Sequence, residues 1–121
     1  MSQITTHVLD TTRGMPAQGL PITLSAQTSD GWQELASGVT NADGRIIGLL
    51  ADDVVLSAGV YRMHFATKTY FEAKGELGFY PFVDIVFELD SSFHDTSVSS
   101  ESHYHIPLLL TAFGYSTYRG S

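Results

Sequence analysis

Five histidines stand in this 121-residue chain: His7, His64, His94, His103 and His105. A histidine titrates near neutral pH and can move protons during hydrolysis. His7, His103 and His105 fall in segments rich in apolar residues that read as strands. Alternation places His103, His105, Pro107 and Leu109 on one face of their strand. Tyr104, Ile106, Leu108 and Leu110 take the other face and read as core. The histidine face therefore turns toward solvent or a partner surface. Strand histidines are also common as surface or hydrogen-bonded structural residues. A His-x-His pair further suits a metal, because both rings lie on one face. The residues alone leave these readings open.

Arg45 follows the turn Asn41-Ala42-Asp43-Gly44, in which Asp-Gly readily supplies positive φ. It reads either as a solvated turn residue or as a fixed fork of donors at a rigid strand end. The second role suits carbonyl oxygens or a developing oxyanion. Cations are scarce, six Lys and Arg against thirteen Asp and Glu, so each is informative. The last segment, Gly114–Ser121, stays strand-like to its final residue. Ser116 and Ser121 lack the flanking pattern of an activated serine, and no phosphate loop or dinucleotide fingerprint occurs. Asp52 and Asp53 read as surface residues, and Tyr115 and Tyr118 as packing residues.

These side chains need a scaffold, and the punctuation is that of an all-β protein. Strands are expected at Ile4–Leu9, Ile22–Thr28, Trp32–Val39, Gly59–Thr67, Phe82–Leu89, His103–Leu110 and Gly114–Ser121. Pro16 and Pro21 bracket a loop. One helix is expected over Thr69–Lys74, with Thr69 and Glu72 as a capping box and Gly75 as its stop. Asp90–Ser102 is polar and serine-rich and reads as a flexible loop. Phe82 and Val86 fall on the outward side of their strand, which hints at a second buried contact. Seven or eight short strands with one helix predict a β-sandwich, and 121 residues predict a single domain, 1–121.

The net charge of -7 argues against nucleic-acid binding. No apolar run approaches the ~20 residues that span a bilayer. The absence of cysteine removes disulfides, zinc–thiolate sites and a cysteine nucleophile. No signal core precedes the first strand, so the expected location is the cytoplasm.

Three stretches resemble the signatures of the transthyretin-like hydroxyisourate hydrolases. They are His7-Val8-Leu9-Asp10 followed by Gly14-Met15-Pro16-Ala17, then Thr40-Asn41-Ala42-Asp43-Gly44-Arg45, and His103-Tyr104-His105-Ile106-Pro107-Leu108-Leu109-Leu110 running to Tyr118-Arg119-Gly120-Ser121. The similarity covers essentially the whole chain. Transthyretins proper lack the closing tetrapeptide and the family's catalytic histidines. The resemblance implies a two-sheet sandwich of eight strands with one short helix. It implies His7, Arg45, His105 and Ser121 as catalytic residues. Arg45, His103, Tyr118 and Ser121 would contact the substrate, with Tyr118 helping to close the pocket. The implied reaction is hydrolysis of 5-hydroxyisourate during urate breakdown, without metal or organic cofactor. The implied assembly is a homotetramer with its sites between dimers. A transthyretin-type carrier of a small ligand is the rival reading. Two features depart from the common pattern: a longer Asp90–Ser102 loop, and Thr111-Ala112 where Ser-Pro is typical.

Overall fold

The computed structural model describes residues 2–89 and 103–120. The expected Asp90–Ser102 loop, His94 and Ser121 lie outside the described residues. The described chain runs β1 (Ile4–Asp10), β2 (Met15–Pro16), β3 (Pro21–Thr28), β4 (Gly31–Val39), β5 (Gly59–Phe65), α1 (Thr67–Ala73), β6 (Val83–Leu89), β7 (Tyr104–Leu110) and β8 (Tyr115–Thr117). These strands form two four-stranded sheets, ordered β2-β1-β7-β8 and β4-β3-β5-β6. The all-β sandwich with one short helix is the observed fold. The six longer strands match their expected spans to within two residues.

Alternation drives the layering. In β1, Ile4, Thr6, Val8 and Asp10 are buried, while Thr5, His7 and Leu9 lie on the outward side. In β7, Tyr104, Ile106, Leu108 and Leu110 face the core, as expected. Tyr61, Met63 and Phe65 of β5 meet them from the second sheet within one buried cluster. Each fully buried aliphatic or aromatic side chain of this kind contributes roughly 1.5–3 kcal/mol.

β1 and β7 run parallel, with Thr5 opposite His105 and His7 opposite Pro107. The buried carboxylate of Asp10 closes the end of β1. It accepts hydrogen bonds from the Tyr70 hydroxyl at 2.7 Å and the Arg13 backbone N–H at 3.1 Å, and Arg13 Nε lies 3.2 Å away. A buried charge survives only when so partnered. The network ties the strand that carries His7 to α1.

Three sequence expectations are corrected. The helix begins at Thr67, two residues before its expected start, and Ala66 caps it without a side-chain hydrogen bond. Thr69 therefore lies inside the helix and no capping box forms. Neighbouring loop carbonyls supply the missing acceptors instead: Lys68 N–H donates to Pro81 O, and Thr67 Oγ1 donates to Tyr80 O at 3.2 Å. The expected stop is observed, with Gly75 at φ 70°, Gly75 N–H on Glu72 O and Glu76 N–H on Phe71 O. Met15–Pro16, expected in a loop, pairs briefly with Leu9 and Asp10.

The strand expected over Gly114–Ser121 lapses after Thr117 and returns as a single bridge between Gly120 and His105. That bridge keeps the register of β7 with β8. In that register Tyr118 falls opposite Pro107, which has no N–H to give. Thr117 Oγ1 takes the Pro107 carbonyl at 2.7 Å. Of the two readings of Arg45, the structure takes the turn: the residue lies in a loop just past Gly44 and not at a strand end.

Candidate active site

The outward side of β1 and β7 brings the expected residues together. The turn that carries Arg45 is built from its own side chain and backbone. Asn41 Oδ1 accepts from Asp43 N–H at 2.9 Å and from Arg45 N–H at 3.1 Å. Asn41 N–H in turn donates to Arg45 O at 2.8 Å. Gly44 adopts φ 75° and presses against β1, where an added Cβ would stand 2.4 Å from the Val8 carbonyl oxygen. Val8 N–H donates to Gly44 O at 2.9 Å. The turn is thus locked beside His7, and Arg45 Nη2 reaches His7 Nδ1 at 3.3 Å.

A guanidinium can only donate, so His7 Nδ1 must be the acceptor and the ring neutral, with its proton on Nε2. The electrostatics agree. Burial first, and the Arg45 charge second, push the His7 pKa below its ordinary value of 6.5. A backbone hydrogen bond to Asp43 and its carboxylate oppose this without reversing it.

His105 stands on the neighbouring strand, half-buried. Its Nδ1 lies 2.9 Å from Thr5 Oγ1. Burial again lowers its pKa, followed by the charges of Arg45, His7 and His103. On another side of the ring, Gly120 N–H donates to the His105 carbonyl at 2.8 Å. An added Cβ at Gly120 would stand 2.6 Å from His105 Cδ2. Only glycine lets the tail cross there.

His7, Arg45, His105 and the tail at Gly120 therefore converge. His103 is exposed, at the edge of the described chain before β7. Tyr118 is 60% exposed. It lines a cleft of about 230 Å³ with Ile85, Phe87, Tyr104, Ile106 and His105. That cleft is apolar and includes neither His7 nor Arg45, so the polar cluster is the better candidate for chemistry. Among the described residues, no three His, Asp or Glu side chains gather as a metal site. Thr5 and Asn41 were not singled out from sequence. Thr5 becomes visible only through the pairing of β1 with β7; Asn41 was readable as a turn residue but not as the anchor of Arg45.

The HIUase/Transthyretin family model matches residues 4–120. The chain belongs to that family. A mouse 5-hydroxyisourate hydrolase is 42% identical over 122 residues, covering 99% of this chain and 96% of the relative. The solved 5-hydroxyisourate hydrolase of Klebsiella pneumoniae superposes with a TM-score of 0.81 at 34% identity, covering 99% of this chain and all of that one. A sea bream transthyretin solved with thyroxine superposes with a TM-score of 0.85 at 32% identity, covering 98% and 95%. Proteins named as 5-hydroxyisourate hydrolases and a transthyretin solved with thyroxine thus share one fold. No described helix is long and apolar enough to cross a membrane.

Proposed function

We propose that this protein hydrolyses 5-hydroxyisourate to 2-oxo-4-hydroxy-4-carboxy-5-ureidoimidazoline in urate degradation. The fold does not separate this reading from a carrier, since hydrolase and transthyretin superpose almost equally. The observation that carries it is the gathering of His7 and His105, on adjacent strands, with one exposed arginine that reaches His7 Nδ1 at 3.3 Å. A carrier of an apolar ligand has no use for that combination.

In this reading His105 is the general base. His7 Nδ1 is occupied by Arg45, whereas His105 keeps Nε2 for a water. His105 takes a proton as the water oxygen adds to a ring carbonyl carbon. The oxygen of that carbonyl becomes an oxyanion facing the Arg45 guanidinium. Collapse breaks the ring C–N bond, the leaving nitrogen takes the proton back, and the carboxylic acid so formed ionises to a carboxylate by giving its proton to solvent. A positioned base supplies roughly 10²–10⁴-fold. His7 holds Arg45 and helps to orient the water. His103, Tyr118 and Ser121 complete the substrate contacts, Ser121 following directly on the Gly120 anchored to His105. The same reading takes residues 1–121 as one domain, located in the cytoplasm. It assembles the chain as a homotetramer with sites at the dimer–dimer interface. Exposed Phe82 and Val86 support assembly by offering apolar surface.

The test is the decay of freshly generated 5-hydroxyisourate after the uricase that made it has been removed. The protein should accelerate decay well beyond the spontaneous rate. Decay no faster than in buffer, together with tight binding of a thyroxine-like ligand, would establish the carrier reading instead.

A further inference from the structure

We propose that Thr5 is a positioning residue for His105, holding its Nδ1–H so that the Nε2 lone pair is presented to the substrate water. The purpose assigned to it rests on the hydrolase reading above; the contact itself does not.

Three observations carry the inference. First, Thr5 and His105 are direct partners in the parallel pairing of β1 with β7, and both lie on the outward side. Their side chains are therefore brought side by side by backbone register alone. Second, the Thr5 hydroxyl reaches a ring nitrogen at 2.9 Å. Nearby threonine hydroxyls on the same strand and just past it do something else. Thr6 Oγ1 donates to Ile106 O at 2.6 Å, and Thr11 Oγ1 to Leu110 O at 3.2 Å. Those two tie a side chain to the backbone of β7, whereas Thr5 ties its side chain to that of a candidate base. Third, the ring is held on a second side by Gly120, whose backbone lies against Cδ2. Turning the ring over would exchange Nδ1 for Cδ2 at Thr5 and forfeit the hydrogen bond.

A neutral imidazole carries its proton on one nitrogen, and the partner of one nitrogen fixes the state of the other. With Thr5 accepting from Nδ1–H, Nε2 is left as the acceptor that a base requires. When His105 takes the proton of water, the same Nδ1–H becomes a charge-assisted donor and its bond to Thr5 strengthens. Thr5 thus favours the ring as it is needed in the transition state. Because a hydroxyl carries no charge, its loss should cost less than the ~10⁴-fold seen when a carboxylate orienter is replaced and the tautomer is wrong. Losses of roughly 10–100-fold are usual for residues that orient a ligating or reacting group.

The experiment compares wild type, Thr5→Val and Thr5→Ser as full chains. Valine keeps the β-branched shape and so the strand. Two quantities are read: kcat and KM on 5-hydroxyisourate, and the ring-nitrogen shifts of His105 in long-range ¹H–¹⁵N spectra. The expected result is a wild-type ring protonated on Nδ1, and in Thr5→Val a tautomer mixture with kcat lower by roughly 10–100-fold at similar KM. Thr5→Ser should restore both. A Thr5→Val ring with wild-type nitrogen shifts would overturn the proposal, whatever the activity did. If wild type itself fails to accelerate decay, the hydrolase reading falls, and the nitrogen shifts still decide whether Thr5 holds His105.

Discussion

His7 and His64 stand on the outward faces of opposite sheets and keep different company. His7 sits beside a guanidinium that can only donate, 3.3 Å from Nδ1. His64 sits against the Asp84 carboxylate at 2.6 Å, with its ring 5.1 Å from that of Phe82. A carboxylate can only accept, so His64 must give its Nδ1 proton to that bond. The pair satisfies His64 Nδ1 and one oxygen of Asp84 within the same sheet. His7 is instead held neutral in an electropositive corner, shared with a second histidine. The sequence places both in expected strands but singles out His7, with His103 and His105, as a candidate for chemistry. The polarity of the neighbour separates a structural pair from a reactive cluster.

That contrast can be broken most forcefully at Arg45. Arg45→Ala should cost roughly 3–4 kcal/mol of transition-state stabilisation, or 10²–10³-fold in kcat. The chain should stay folded, because the Arg45 side chain is exposed and its turn is held by Asn41. Steady-state kinetics and a thermal melt on the same preparation check both halves. Gly120→Ala comes next. Its Cβ would stand 2.6 Å from the His105 ring, and a displacement of about 1 Å at a reacting group costs on the order of 10²-fold. A wild-type rate in Gly120→Ala would mean that the tail does not define the ring position.

The pH dependence follows from the lowered pKa values of His7 and His105. A base must be neutral to act, so kcat/KM should rise with pH through a limb below 6.5 and be flat by neutrality. Stability follows the same groups. Below 6.5 the unfolded histidines bind protons that the folded ones refuse. Stability should therefore fall as pH drops from 6.5 toward the lowered folded values. Denaturant melts at several pH values measure it. The smallest effect belongs to the other face. Asp84→Asn alters a partly exposed hydrogen-bonded pair and should change stability by less than about 1 kcal/mol, with turnover unaltered.

Much of this fold was legible because it rests on local rules. The period of two in β5 and β7 marks the faces that are buried, and in β6 Val83 and Leu89 are buried while Ile85 and Phe87 are only partly so. Gly75 ended its helix for a reason visible in one residue. The failures came where a distant segment decided the outcome. α1 starts early because Pro81 and Tyr80 supply acceptors from across a loop. β8 lapses because of the missing N–H of Pro107 on the adjacent strand. The candidate site divides in the same way. Its residue types were readable, but the contact of Arg45 with His7 depends on Gly44 meeting Val8. The contact of Thr5 with His105 depends on a parallel pairing between residues a hundred positions apart.

The most direct test of the account is turnover of 5-hydroxyisourate by His105→Ala and His64→Ala, measured side by side. The account predicts a loss of at least about 10²-fold in the first and a wild-type rate in the second. Equal losses in both, or a wild-type rate in His105→Ala, would contradict it.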